Sequence, residues 1–175
     1  VVEPELDRMF AANRERLTFS AEPESLNACD LVYVAVDVPT DDEGKSDLSP
    51  IEAMIETVTP HLNDSAILVI LCQVPPGFTR GRCLSDARLF YQVETLIFGR
   101  AVERATTPER FIIGCADPGE PLPQSYGAFL EAFGCPLLPM RYESAELAKI
   151  AINCFLVASV STTNTLAGLC ERLGA

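Results

Sequence analysis

The chain has 175 residues, 48% hydrophobic and 22% charged, which suffices for one ordinary domain with a real core and argues against disorder. Its formal net charge of −12 argues against nucleic acid or an anionic membrane surface as partner. Seven cysteines without a C-x-x-C pair, and a single histidine, His61, leave no zinc spacing, so no metal is expected.

Glu5 to Arg16 has helical spacing, and Leu17 to Phe19 reads as a short strand. A short helix is expected over Glu22 to Asn27. Asp30 to Val36, DLVYVAV, is a β-branched run that predicts a buried strand. A polar loop follows, DVPTDDEGKSD. Ser49-Pro50 opens a helix in the order cap then first-turn proline, and that helix runs to about Val58. Ser65 to Val74 predicts a second buried strand, broken by PPGFTR, with a helix expected onward through Ala87. Strands are expected at Arg88 to Glu94, from Arg110, and from Cys135, with a helix over Tyr126 to Phe133. Ala145 to Leu173 contains no proline and reads as one long helix.

Apolar strands alternating with helices predict an α/β fold with a mainly parallel sheet covered on both faces. Ligands of such sheets bind at the carboxyl ends of the strands. That selects Val36 to Thr40, Cys72 to Gly77 and Glu94 to Arg100, which should share one rim.

The cysteines, mostly in apolar runs, are expected to be reduced core residues of a cytoplasmic protein. No run of about 18 apolar residues is read in the chain, so no span and no membrane partner are expected. No signal peptide is read, and the sequon at Asn63 is taken as chance. The start at Val1 without Met, and the end just past a helix, read as cuts through a longer protein.

Several residues carry two readings each. Val74 to Thr79, VPPGFT, is either a tight turn entering a helix or a rigid loop that meets a flat cofactor, with Gln73 as polar reader. Glu94 is either an exposed strand end or a carboxylate holding a water or a sugar hydroxyl. Lys149 and Asn153 lie four apart on one face of the long helix. They are either part of a polar stripe or a buried pair. Apolar neighbours leave little of that helix for water, and a buried ammonium costs several kcal/mol unless compensated. The acidic loop at Thr40 to Asp47 does not fit a calcium loop, and no G-x-S-x-G is present.

These segments, in this order, resemble the UDP-glucose/GDP-mannose dehydrogenase family. EPELDRMFAANRERLTFS and VYVAVDVPTDDEGKSDLS resemble its later cofactor-domain elements. QVPPGFT sits where the family has S-T-V-P-x-G-T, and YQVETLIFGRAVE resembles its Y-x-P-E-F-L-R-E-G-x-A segment. ESAELAKIAINCFLVASVSTTNTLAGLCERLGA resembles the helix linking its two main domains.

The resemblance implies a Rossmann-like, incomplete NAD-binding domain over residues 1–142. Residues 143–175 are then a linking helix that leads to the dimerisation and substrate domain. It implies oxidation of a nucleotide-sugar C6 hydroxyl to a carboxylate, with two hydride transfers to NAD and a cysteine carrying the intermediate. By position, Lys149, Asn153 and Glu94 are the catalytic candidates; Val36, Asp37, Val38, Pro39, Gln73 and Val74 are the cofactor-binding ones. A homodimer through the long helix is implied too. Gln73 replaces the family's threonine, and Phe98 its second glutamate. Neither G-x-G-x-x-G nor the family's Gly-rich cysteine segment occurs in the 175 residues. A hydroxyacid dehydrogenase of the wider group and a non-catalytic dimerisation module are the competing readings.

Overall fold

A computed structural model describes residues 3–82, 84–85 and 87–174. Among these residues five strands form one sheet in chain order: Leu31–Val34 (β1), Ile67–Ile70 (β2), Leu89–Gln92 (β3), Phe111–Cys115 (β4) and Leu137–Arg141 (β5). β1, β2 and β3 are mutually parallel, as are β4 and β5. β3 and β4 are antiparallel, with Tyr91 opposite Gly114 and Gln92 opposite Ile113. The connection between them stays at the carboxyl end of β3, so β4 starts there and runs back. The mainly parallel sheet is therefore mixed.

Among the described residues five α-helices accompany the sheet: Leu6–Ala12 (α1), Ser49–Val58 (α2), Ala101–Thr106 (α3), Gln124–Glu131 (α4) and Tyr142–Leu173 (α5). β2 and β3 are buried along their whole length, as their continuous apolar runs require. One face of the sheet packs Leu68, Ile70, Leu89 and Tyr91 against Ile51, Ile55 and Val58 of α2 and against Tyr142 and Ala145 at the start of α5. The other packs Val69, Phe90 and Ile113 against Tyr126 and Leu130 of α4. On that face the Tyr33 and Tyr126 hydroxyls both donate to the Gln92 side-chain oxygen, at 3.0 and 2.9 Å. Burial pushes the Tyr33 hydroxyl up to about 12.

The seat of α5 is tight. Tyr142 and Ala145 are fully buried, and the Tyr142 hydroxyl donates to the Leu89 carbonyl at 2.7 Å. A Cβ on Gly114 would lie 2.9 Å from Tyr91 Cβ and 3.0 Å from Ala145 Cβ. Only glycine lets the helix come this close to β4 and β3.

Several expectations are corrected. Leu17 to Phe19 pairs with no strand among the described residues, and Phe19 is exposed. The first helix is shorter than expected, with a 3-10 turn at Arg14–Arg16. Where a helix was expected to follow PPGFTR, the described residues show only a 3-10 turn, Thr79–Gly81, with Arg82 already extended and its Nε reaching back to the Phe78 carbonyl at 3.2 Å; Cys83 and Asp86 of that stretch lie outside the described residues. The short α3 went unread, because six residues carry too little periodicity. Cys72 and Cys115 are buried core residues, but Cys154 and Cys170 lie exposed on α5, and Cys83 falls outside the described residues.

The largest correction concerns α5 itself. It is 32 residues, about 48 Å at 1.5 Å per residue, and its buried residues are Tyr142, Ala145 and Glu146 alone. The rest projects from the sheet, so most of the helix does face water in this chain. Ile150 to Cys170 contains no charged residue. By length and composition α5 could cross a membrane, with a mean hydropathy of 1.4 over an 18-residue window. The expectation that no such stretch exists does not hold. Ser, Thr and Asn residues interrupt its surface, which had hidden the run.

Candidate functional site

Because β1, β2 and β3 are parallel, the segments that follow them emerge on one edge of the sheet. This places Val36 to Thr40, Gln73 to Gly77 and Glu94 along one rim. α5 crosses this rim and contributes three polar side chains, Glu146, Lys149 and Asn153, on one face.

Lys149 meets Glu94. Its Nζ donates to the Glu94 main-chain oxygen at 2.6 Å and to Oε2 at 3.2 Å. The two side chains are 18% and 28% exposed. The other Glu94 oxygen accepts the Leu96 N–H. The half-buried ammonium is therefore compensated by a carboxylate and a carbonyl. That explains how a mostly apolar helix can carry it. Asn153 Nδ2 donates to Gln73 Oε1 at 2.9 Å.

The β1 loop is built differently. Val36 and Val38 rest on the core, while Asp37 and Pro39 are exposed. The Val36 N–H points at Cys72 Sγ, 3.2 Å away, and that thiol in turn donates to the Val34 carbonyl at 3.3 Å. Burial pushes the Cys72 thiol up, so it stays protonated and serves as a tie between β1 and β2 rather than as a nucleophile. Val74 is 1% exposed, so it lies beneath the rim surface, and neither its side chain nor its backbone faces an approaching ligand. Gly77 sits at φ 93°, with open space where a Cβ would be, and leaves the turn's backbone approachable.

An ammonium and an amide beside a carboxylate, in a partly dry rim, can hold a developing oxyanion and a water or proton. Residues 1–124 match the profile described as UDP-glucose/GDP-mannose dehydrogenase family, NAD binding domain, and residues 143–175 match the family's central domain. The chain belongs to the UDP-glucose/GDP-mannose dehydrogenase family. It is 31% identical over 193 residues to UDP-glucose 6-dehydrogenase TuaD of Bacillus subtilis, covering 100% of this chain and 40% of that protein. It is 35% identical over 183 residues to a UDP-glucose 6-dehydrogenase of Pseudomonas aeruginosa, covering 96% and 40% respectively. The structure of a UDP-glucose dehydrogenase from Pyrobaculum islandicum superposes with a TM-score of 0.83 at 29% identity, covering 100% of this chain and 44% of that one. The chain thus spans about two fifths of these relatives.

Within this family member, Phe98 is 88% exposed on the loop after β3. Two further residues escaped the sequence reading. Glu146 is fully buried beneath the turn after β2, and Glu143 pairs with Arg80 of that same turn. The available signal was spacing: Glu146 lies three residues before Lys149, on the same helical face.

Proposed function

We propose that the protein carrying this chain oxidises the C6 hydroxyl of a UDP- or GDP-sugar to a carboxylate, in two hydride transfers to NAD. The observation that carries the reading is the clustering of Lys149, Glu94, Asn153 and Gln73 at the carboxyl rim of the sheet. NAD, when bound, takes hydride from the sugar carbon. The exposed Asp37, Pro39 and Gln73, with the turn open above Gly77, suit the approach of a flat cofactor. In this reading Lys149 Nζ and Asn153 Nδ2 hold negative charge on the C6 oxygen, and Glu94 orients Lys149 and a water. Cys72 does not fit the covalent step, since its thiol is buried and tied to Val34.

The test is purified full-length protein with NAD and, in turn, UDP-glucose, GDP-mannose and UDP-N-acetylmannosamine. Release of two NADH per sugar supports the reading. Oxidation of small hydroxyacids alone would overturn it.

The exposed apolar residues of α5, among them Phe155, Val157 and Leu166, favour a second copy as their cover. The same reading makes the protein a cytoplasmic homodimer rather than a membrane one. Sedimentation of the full-length protein, together with its fraction after cell lysis, tests both.

A further inference from the structure

We propose that Glu146 is a positioning residue for the dinucleotide: it fixes the backbone of the turn after β2, and through that turn the cofactor wall beside Gln73. This rests on the reading of the rim as the NAD site.

Glu146 is fully buried on the second turn of α5. Its Oε2 accepts the Gly77 N–H at 2.5 Å and its Oε1 accepts the Thr79 N–H at 2.8 Å. A carboxylate taken out of water is unfavourable unless hydrogen-bonded, and bonds from backbone N–H groups to an ionised oxygen are among the stronger ones. Packing alone would be served by an apolar residue. What the carboxylate adds is two directed acceptors.

The turn needs them. Pro75 and Pro76 have no N–H, so VPPGFT has few donors with which to knit itself together. The Phe78 N–H closes onto the Pro75 carbonyl at 3.1 Å. Those of Gly77 and Thr79 both go to Glu146. Gly77 also holds a positive φ, a conformation that a free glycine leaves readily. One helix therefore grips the segment at both ends, Glu146 at Gly77 and Thr79, Asn153 at Gln73. Without Glu146, the turn loses the two bonds from α5 that fix its backbone at Gly77 and Thr79, just downstream of Gln73 and Val74.

The experiment uses the full-length protein with Glu146→Gln and Glu146→Ala. Glutamine keeps one acceptor and sets an NH2 group against the other N–H; alanine keeps none. The expected result is a KM for NAD raised about tenfold in Glu146→Gln and further in Glu146→Ala, as befits loss of bonds to a charged group. kcat at saturating NAD should stay within about threefold. A purely structural role would lower the melting temperature and the yield while leaving the KM of the folded enzyme unchanged. That result overturns the proposal.

NAD affinity is also measured directly, by fluorescence. A parent that binds NAD but oxidises no nucleotide sugar sinks the proposed reaction, while the affinities of the variants still decide the role of Glu146. Should neither variant fold, hydrogen exchange on the parent decides. Slow exchange of the Gly77 and Thr79 amides, slowed further by NAD, supports the tether; loop-like rates at both overturn it.

Discussion

Asn153 donates its side-chain N–H to Gln73 Oε1 at 2.9 Å, joining the long helix to the end of β2 across 80 residues of sequence. The contact is exposed, so it is expected to contribute modestly. Replacing Gln73 with leucine should lower kcat/KM for NAD on the order of two- to tenfold, the range of one hydrogen bond. Steady-state kinetics on the full-length protein measure this. Unchanged parameters would mean that Asn153 is held by its helix alone.

Lys149→Ala should act differently. An oxyanion donor works mainly in the transition state, so kcat should fall on the order of a hundredfold or more while KM changes little. The variant also leaves the half-buried Glu94 carboxylate without its ammonium. A melting curve beside the kinetics separates lost chemistry from lost fold. An unchanged kcat would assign Lys149 to holding Glu94 and nothing more.

Gly114→Ala tests the seat of the helix. The added methyl would meet Tyr91 Cβ at 2.9 Å and the Tyr142 Cα at 3.2 Å. Neither a strand nor the first turn of a packed helix yields easily, so about 1–3 kcal/mol of stability should be lost. Urea unfolding measures it. A stable variant would show that α5 can move outward, and its kinetics would report what that movement does to the rim.

The pairing of Glu143 with Arg80 sets a pH dependence. The hydrogen bond from the Arg80 guanidinium holds the Glu143 carboxyl well below its ordinary 4.5, at about 2. A carboxylate lowered on folding contributes stability that is full above its unfolded value and fades as pH falls toward the folded one. The window is therefore between about pH 4.5 and 2. Both side chains are about 40% exposed, so screening keeps the loss under about 1 kcal/mol. Urea unfolding of parent and Glu143→Gln across that window should show a steeper decline in the parent. Parallel curves would mean that the pair contributes nothing.

The elements that sequence located well are those whose burial pattern is local. ILVI and LFYQ are covered on both faces, and their apolar runs say so. The rim followed from them, because parallel strands send their loops to one side. What escaped depends on long-range geometry. The β3–β4 reversal comes from how a connection packs, which no residue pattern encodes. Glu146 looked like one more glutamate on a helix; its burial arises only when a turn 67 residues away offers two N–H groups. The exposure of α5 was misjudged for the opposite reason. Its apolar residues invite burial, but from Ala151 to Ala167 every residue is exposed among the described residues.

The 175 residues expressed alone are expected to bind NAD only weakly. A dinucleotide's pyrophosphate is held by backbone N–H groups of a Gly-rich turn at a helix N-terminus, and its ribose by an acidic residue further on. The sequence contains no G-x-G-x-x-G. The rim offers backbone at residues 36–39 and the turn above Gly77, which can meet one side of a flat ligand but supply no such cradle. A net charge of −12 repels an anionic ligand that has no cradle to hold it. Calorimetry of the chain against NAD, with circular dichroism to confirm that the sheet has formed, should give heats no larger than dilution at micromolar ligand. Saturable micromolar binding would show instead that the loops after β1 and β2 carry most of the affinity, and would move the weight of recognition onto Gln73 and the turn that Glu146 holds.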